Sequence, residues 1–424
     1  MSFGIKTQQR RRIAAAGVAM SSLLAMLTAC GGSDGSNEAG GACDVPGVTD
    51  TSVALGAIAD ISGVYSFQGP FADGAKARIE AANAAGGVNG RKLTLEVADD
   101  ASDVANNLAT ARSLVEGKDV VGVLMASSFT AGSGDYLKGV GLPVVGYGIT
   151  LEFQDHAKYP NFIAYGNNVS GATNATSISK VWGEFLKSKG ATTVYSVGSG
   201  TPQGARSATA LIVSSEAAGL KKGVLTTDLP TGTTNFTGEA QKAKQAGVDA
   251  LALPLGGPAS VAVLKAMKQA DVPIKVSILL SGYDPAILKE AGDALEGASF
   301  WVPFAPFETN AQGITTYKDA LAKYAPKATV GQYTMVGWLS ANLLIAGIEK
   351  AGSCPSRKNV LKAITELKDY DADGMIPATD FSDPQQQAAA PTCLYVVTVK
   401  GGAFVPDNEG KPFCVSDTKP LPIR

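Results

Sequence analysis

Val120-Val121-Gly122-Val123-Leu124 and Val248-Asp249-Ala250-Leu251-Ala252-Leu253 decide the fold. Each is a short apolar run of the kind needed by a strand buried on both faces. Each is followed by a loop of small residues, a helical stretch, and a second run entered through a proline. Those second runs are Gly141-Leu142-Pro143-Val144-Val145 and Asp271-Val272-Pro273-Ile274-Lys275-Val276. The same unit written twice predicts two lobes of one architecture.

Upstream of the first unit, strands are expected at Val53–Ile58 and Leu93–Ala98, with helices at Pro70–Ala85 and Asp103–Glu116. Strands at Val120–Met125 and Pro143–Gly146 then flank a helical stretch, Ser133–Val140. Around the second unit, strands are expected at Thr193–Val197, Gly223–Thr227, Ala250–Pro254 and Lys275–Leu280. Helices are expected at Ala172–Lys189, Gln203–Ala218, Phe236–Ala246 and Ala259–Gln269. Such alternation specifies a parallel sheet covered by helices on both faces. Asn161–Tyr165, Ser299–Pro306 and Met375–Phe381 read as three extended crossovers between the lobes, and Leu394–Pro406 as a closing hairpin around Gly401-Gly402.

A chain of 424 residues exceeds one ordinary core, in keeping with two lobes. The first 29 residues carry Lys6, Arg10, Arg11 and Arg12, followed by an apolar stretch, Ile13–Leu27, too short to act as a stop-transfer helix. This is an export signal. It ends in Leu27-Thr28-Ala29-Cys30, which resembles the lipobox of bacterial lipoproteins, and runs into Gly31-Gly32-Ser33-Asp34-Gly35-Ser36, a tether composition. The resemblance implies that Cys30 is lipidated and anchors the chain to the outer face of the cytoplasmic membrane. Removing the four basic residues of the signal from 36 leaves 32 against 38 acidic residues, a charge of −6. A mildly acidic chain without a basic block offers nothing to nucleic acid. With Cys30 set aside, Cys43, Cys354, Cys393 and Cys414 allow three pairings and fit disulfides outside the cytoplasm.

Ile58-Ala59-Asp60-Ile61-Ser62-Gly63, Gln68-Gly69, Gly74-Ala75, Ala84-Ala85-Gly86-Gly87-Val88-Asn89-Gly90-Arg91-Lys92-Leu93 and Asp99-Asp100 occur in that order. Across residues 51–406 this series resembles the type I periplasmic binding proteins of the leucine/isoleucine/valine-binding group. The resemblance implies an α/β fold of two Rossmann-like lobes, each a parallel sheet flanked by helices, joined by three hinge crossovers. Residues 1–29 are then the signal and 30–50 the lipidated cysteine and tether. Residues 51–163 with 305–373 form lobe one, and 164–304 with 374–424 form lobe two. The implied partners are a small-molecule ligand and the membrane subunits of an ABC permease; a monomer without cofactor or metal ion is expected.

Carried over from that family, Ser127 and Ser128 stand where serines hold the ligand carboxylate, and Gly148 and Thr150 match a second carboxylate loop. Tyr333 matches an aromatic residue beside the ligand side chain. Gln68, Gln203 and Pro258 stand where the amino-acid binders carry tyrosines, and Asp284 lies nearest the place of the glutamate that meets the ligand ammonium. Asp60, Tyr65, Phe67, Tyr147 and Tyr283 are further candidates for the cleft. The fold also suggests Cys43–Cys354 at the far end of lobe one and Cys393–Cys414 across the closing hairpin.

Catalytic signatures do not converge. His156 is the only histidine, and the chain has no Gly-x-Ser-x-Gly, phosphate-loop or His-Glu-x-x-His motif. The expected function is therefore not enzymatic. It is the capture, by hinge closure, of a carboxylate-bearing solute, an amino acid first, for an ABC importer. A ligand-sensing module for a membrane receptor is one alternative. A receptor for an aromatic acid or amide is another.

Overall fold

The computed structural model describes residues 43–165, 177–383, 392–417, 419 and 421–423; the export segment and Cys30 lie outside them. The first sheet has five parallel strands: β1 (Ser52–Ala59), β2 (Lys92–Asp99), β3 (Gly122–Ala126), β4 (Val144–Gly146) and β5 (Phe162–Ala164). Their spatial order is β2-β1-β3-β4-β5. A two-residue strand, β6 (Ser177–Ile178), pairs antiparallel with Leu421–Pro422.

The second sheet opens with β7 (Thr193–Ser199), β8 (Lys221–Leu229), β9 (Ala250–Leu253), β10 (Val276–Leu279) and β11 (Ala298–Val302), all parallel. Their order, β8-β7-β9-β10-β11, repeats that of the first sheet. β12 (Cys393–Lys400) then adds antiparallel to β11, and β13 (Ala403–Pro406) to β12. Gly401 and Gly402 join these two at φ 59° and 73°, which a tight two-residue hairpin needs at both central positions.

All five residues of β3 and of β11 are buried, so the central strands read as unbroken apolar runs. On the first sheet the main cover is helix Gln332–Ala351, which packs against β3, β4 and helix Phe71–Ala84. The two helices touch backbone to backbone: a side chain at Gly74 would strike the Thr334 carbonyl, and one at Gly337 the Phe71 carbonyl. Glycine at both positions is what permits that approach.

Three local expectations change. The helix expected from Ala172 begins at Val181, because Ser177–Ile178 finds a strand partner in the C-terminal segment; residues 172–176 lie outside the described set. Ser299–Pro306 is not wholly a crossover, since Ala298–Val302 is buried on both faces and forms the fifth parallel strand. Residues 43–50, expected as tether, are packed down instead. Val48 is buried and bridges Val53, and Cys43 is bonded to Cys354 with Cα atoms 5.3 Å apart. The second disulfide joins Cys393 to Cys414 across β12 and its neighbour Phe413–Cys414.

Candidate functional site

In a sheet of order 2-1-3-4-5, the chain leaves strands one and three in opposite directions and opens a crevice beyond their carboxyl ends. Both sheets carry such a switch point, and one cavity of about 120 Å³ is lined from both. Ser128 and Phe129 follow β3, and Tyr147, Ile149 and Thr150 follow β4. From the second sheet come Ser199 at the end of β7, Pro254 to Gly256 after β9, and Leu280 and Ser281 after β10. Gln68, Gln203 and Tyr333 complete the polar and aromatic wall.

The polar groups on the lobe-one side are held in place by one another. Asp60, fully buried after β1, accepts hydrogen bonds at Oδ2 from the Ser128 N–H (3.0 Å) and from Gln68 Nε2 (3.2 Å). Gln68 Nε2 also donates to Ser128 Oγ at 2.8 Å. Thr130 Oγ1 donates to Thr150 Oγ1 at 2.8 Å, shorter than its 3.2 Å approach to the Ser127 carbonyl. Ser128 and Thr150 thus each accept a protein hydrogen bond, and each keeps its own O–H to donate. Burial, together with a hydrogen bond to the neighbouring Asp100, pushes the Asp60 carboxyl up to about 8. Burial and Asp100 thus favour the protonated form of Asp60, which lessens the repulsion an anion in front of Ser128 would meet.

Among the described residues that line this cavity there is no Asp, Glu, Lys, Arg or His. Its apolar surfaces are aromatic rings with Ile149, Pro254, Leu255 and Leu280; Tyr333 meets Phe67 and Tyr147 edge-on at 5.6 and 5.9 Å, and Tyr65 meets Phe129 at 5.7 Å. Several contacts cross between the lobes at its rim, among them a hydrogen bond from Gln332 Nε2 to the Leu280 carbonyl at 3.2 Å. Tyr333 OH lies 3.1 Å from Ser281 Oγ, and the Arg206 guanidinium reaches from helix Pro202–Ala217 to Gln154 Oε1.

Of the candidate residues, Gln68, Ser128, Thr150, Gln203 and Tyr333 meet on this cavity, with Tyr65, Phe67 and Tyr147. The structure places six others elsewhere. Asp60 sits behind Ser128, and Pro258 lines a neighbouring chamber. Ser127 is buried and donates to Asp100, because adjacent residues at a strand end face opposite ways. Gly148 is not in the lining; its carbonyl accepts from Gln154 Nε2. Asp284 caps helix Pro285–Ala291 by accepting from the Ala286 N–H at 2.7 Å. Tyr283 is stacked on Phe307 in the core. Sequence reading missed Ser199, Thr201, Leu255 and Gly256; their place at or just past the carboxyl ends of β7 and β9 was the available signal.

The periplasmic binding protein family model matches residues 52–403. A search of curated proteins finds no significant match. Among solved structures, a fatty acid ABC transporter substrate-binding protein from Thermomonospora curvata superposes with TM-score 0.71 at 18% identity, over 89% of this chain and 96% of its own. A branched-chain amino acid ABC transporter from Thermus thermophilus with bound valine gives TM-score 0.71 at 18% identity, covering 86% and 97%. An ABC transporter solute-binding protein from R. palustris in complex with 4-hydroxybenzoate gives 0.70 at 20%, covering 87% and 98%. At such identities the likeness carries the fold and not the ligand. The family match over most of the chain, and the cleft between two equivalent sheets, make this chain a member of the periplasmic binding protein family with the type I fold.

Proposed function

We propose that this protein is the extracytoplasmic receptor of an ABC importer, anchored through a lipidated Cys30, and that it closes on a small monocarboxylate with an apolar body and no ammonium group. The observation that carries the ligand reading is the pair of hydroxyls, Ser128 and Thr150, with protons to donate in an aromatic cavity lacking charged side chains. Hydroxyls so placed suit an anion, whereas a buried ammonium would be left without a counter-charge, at a cost of several kcal/mol. A neutral amide is the second reading. Gln68 Oε1 is buried and accepts no hydrogen bond within the described structure, and an amide N–H would supply the donor.

Calorimetry with leucine, its deamino acid, the matching amide and benzoate separates these readings. The deamino acid is expected to bind at least about tenfold tighter than leucine. Leucine binding tightest would overturn the ammonium-free reading, and the amide binding tightest would overturn the carboxylate. Replacing Cys30 with Ser is expected to move the protein from the membrane to the soluble fraction; retention of the full-length chain counts against the anchor.

A further inference from the structure

A second chamber of about 330 Å³ adjoins the first and shares Phe67, Leu255 and Gly256 with it. Val64 and Phe67 of lobe one wall one side, and Leu229, Pro230, Ala259 and Ala262 of lobe two the other. No charged side chain lines it among the described residues. The partition between the chambers is the Phe67 ring lying on Gly256, where a Cβ would come within 2.6 Å of the ring tip. That ring is only half-buried and sits on the three-residue turn Ser66–Gln68, so it is not locked into a core. Val64, at the outer side, is 57% exposed, an apolar side chain held over an apolar chamber.

We propose that the outer chamber is a second subsite of the same cleft. It takes the apolar tail, alkyl or aryl, of a carboxylate whose head is at Ser128 and Thr150, and Phe67 sets the tail length. The assignment rests on the carboxylate reading above. Size supports it: small-molecule sites span about 300–1,000 Å³, which the inner chamber alone does not reach and the two together do. Composition supports it as well: the lining is uncharged, and Leu, Pro, Val, Ala and Phe outnumber its hydroxyl side chains (Thr231, Thr233 and Thr234 among them), so it gains mainly from covering apolar surface.

The test is calorimetry of straight-chain acids from butanoate to decanoate on the full mature protein and three variants. Affinity of the unaltered protein is expected to climb roughly threefold to fourfold per methylene once the inner chamber is filled. Ala262→Phe, and Thr233→Trp at another point of the lobe-two lining, should stop that climb while leaving butanoate affinity within about twofold. Phe67→Ala should raise the decanoate-to-butanoate ratio by about tenfold or more. Butanoate binding with a flat length profile would overturn the second subsite and leave the carboxylate reading standing. An undiminished climb in both folded wall variants would also overturn it, by placing the tail elsewhere. Failure of every acid to bind would overturn the carboxylate reading, and the subsite with it.

Discussion

The two walls of the cleft are built by different means. On the lobe-one side, hydrogen bonds join residues far apart in sequence: Gln68 to Ser128, Ser128 to Asp60, Thr130 to Thr150. On the lobe-two side, apart from the contacts that cross to lobe one, those of Ser281 and Arg206 among them, they are local. Ser199 Oγ pairs with Thr201 Oγ1 at 3.0 Å, Thr201 caps its helix by accepting from the Gly204 N–H, and Gln203 Nε2 reaches Ser207 one turn on. The first wall exists only when the lobe is folded, and its mutual hydrogen bonds fix its donors, so a head group bound there would need little reordering of them. The second wall is ordinary helix-start chemistry. On the proposed carboxylate reading, selectivity for the head group belongs to lobe one, and cover to lobe two.

The largest effects expected concern the disulfide in each lobe. Replacing Cys43 and Cys354 together opens a cross-link 311 residues long and should cost about 3–5 kcal/mol in denaturant unfolding. Replacing Cys393 and Cys414, only 21 residues apart, should cost about 2–3 kcal/mol. A larger loss at the shorter loop would show that lobe two depends on its bridge for more than chain entropy.

Next in size, Ser128→Ala or Thr150→Ala should weaken a carboxylate ligand by about ten- to a hundredfold, since a charge-assisted hydrogen bond is worth roughly 1.5–3 kcal/mol. The melting temperature of the free protein should barely move. Lost stability with intact affinity would assign these hydroxyls to the fold and erase the contrast between the walls.

The contrast can be sharpened by pH. Burial and Asp100 raise the Asp60 carboxyl from 3.8 to about 8, so the native protein holds a proton there that the unfolded chain has released. Stability from this group is therefore fully present below about pH 4, falls as pH rises to about 8, and is level above. Ligand affinity behaves differently. Above pH 8 Asp60 becomes an anion behind Ser128, and carboxylate binding should weaken by up to about tenfold per pH unit. Asp60→Asn should flatten both profiles. A pH-independent affinity between pH 7 and pH 9 would show that Asp60 is not felt in the cavity.

The smallest effect is on the other wall. Thr201→Ala removes a helix cap and should cost about 1 kcal/mol of stability while shifting affinity by no more than about twofold. A tenfold affinity loss there would mean that lobe two reads the ligand as well.

The doubled strand order was legible because parallel strands buried on both faces must be apolar throughout, and prolines mark where β4 and β10 begin. Site direction was less legible. Ser127 and Ser128 are chemically identical, and only the pleat decides that one faces Asp100 and the other the cavity. Asp284 stands before Pro285, and both a helix cap and a ligand carboxylate fit that sequence; the backbone conformation chose the cap. The influence of Asp60 depends on Asp100, forty residues on, whose nearness comes from the pairing of β1 with β2. The lobe-two lining was hardest to see because much of it is serine, threonine and glycine at strand ends, residues that serve most often as turns.

The helix that covers the first sheet, Gln332–Ala351, also has a meaning in time. A chain released from its N-terminus has all five strands of that sheet by residue 164, yet the helix that roofs β3 and β4 arrives only after the parallel strands of the second lobe. That second sheet in turn waits for β12 near residue 400. Until then, both unfinished lobes present bare apolar faces. Such a chain carries uncovered apolar surface until its last quarter arrives, and is open to collapse or aggregation for as long.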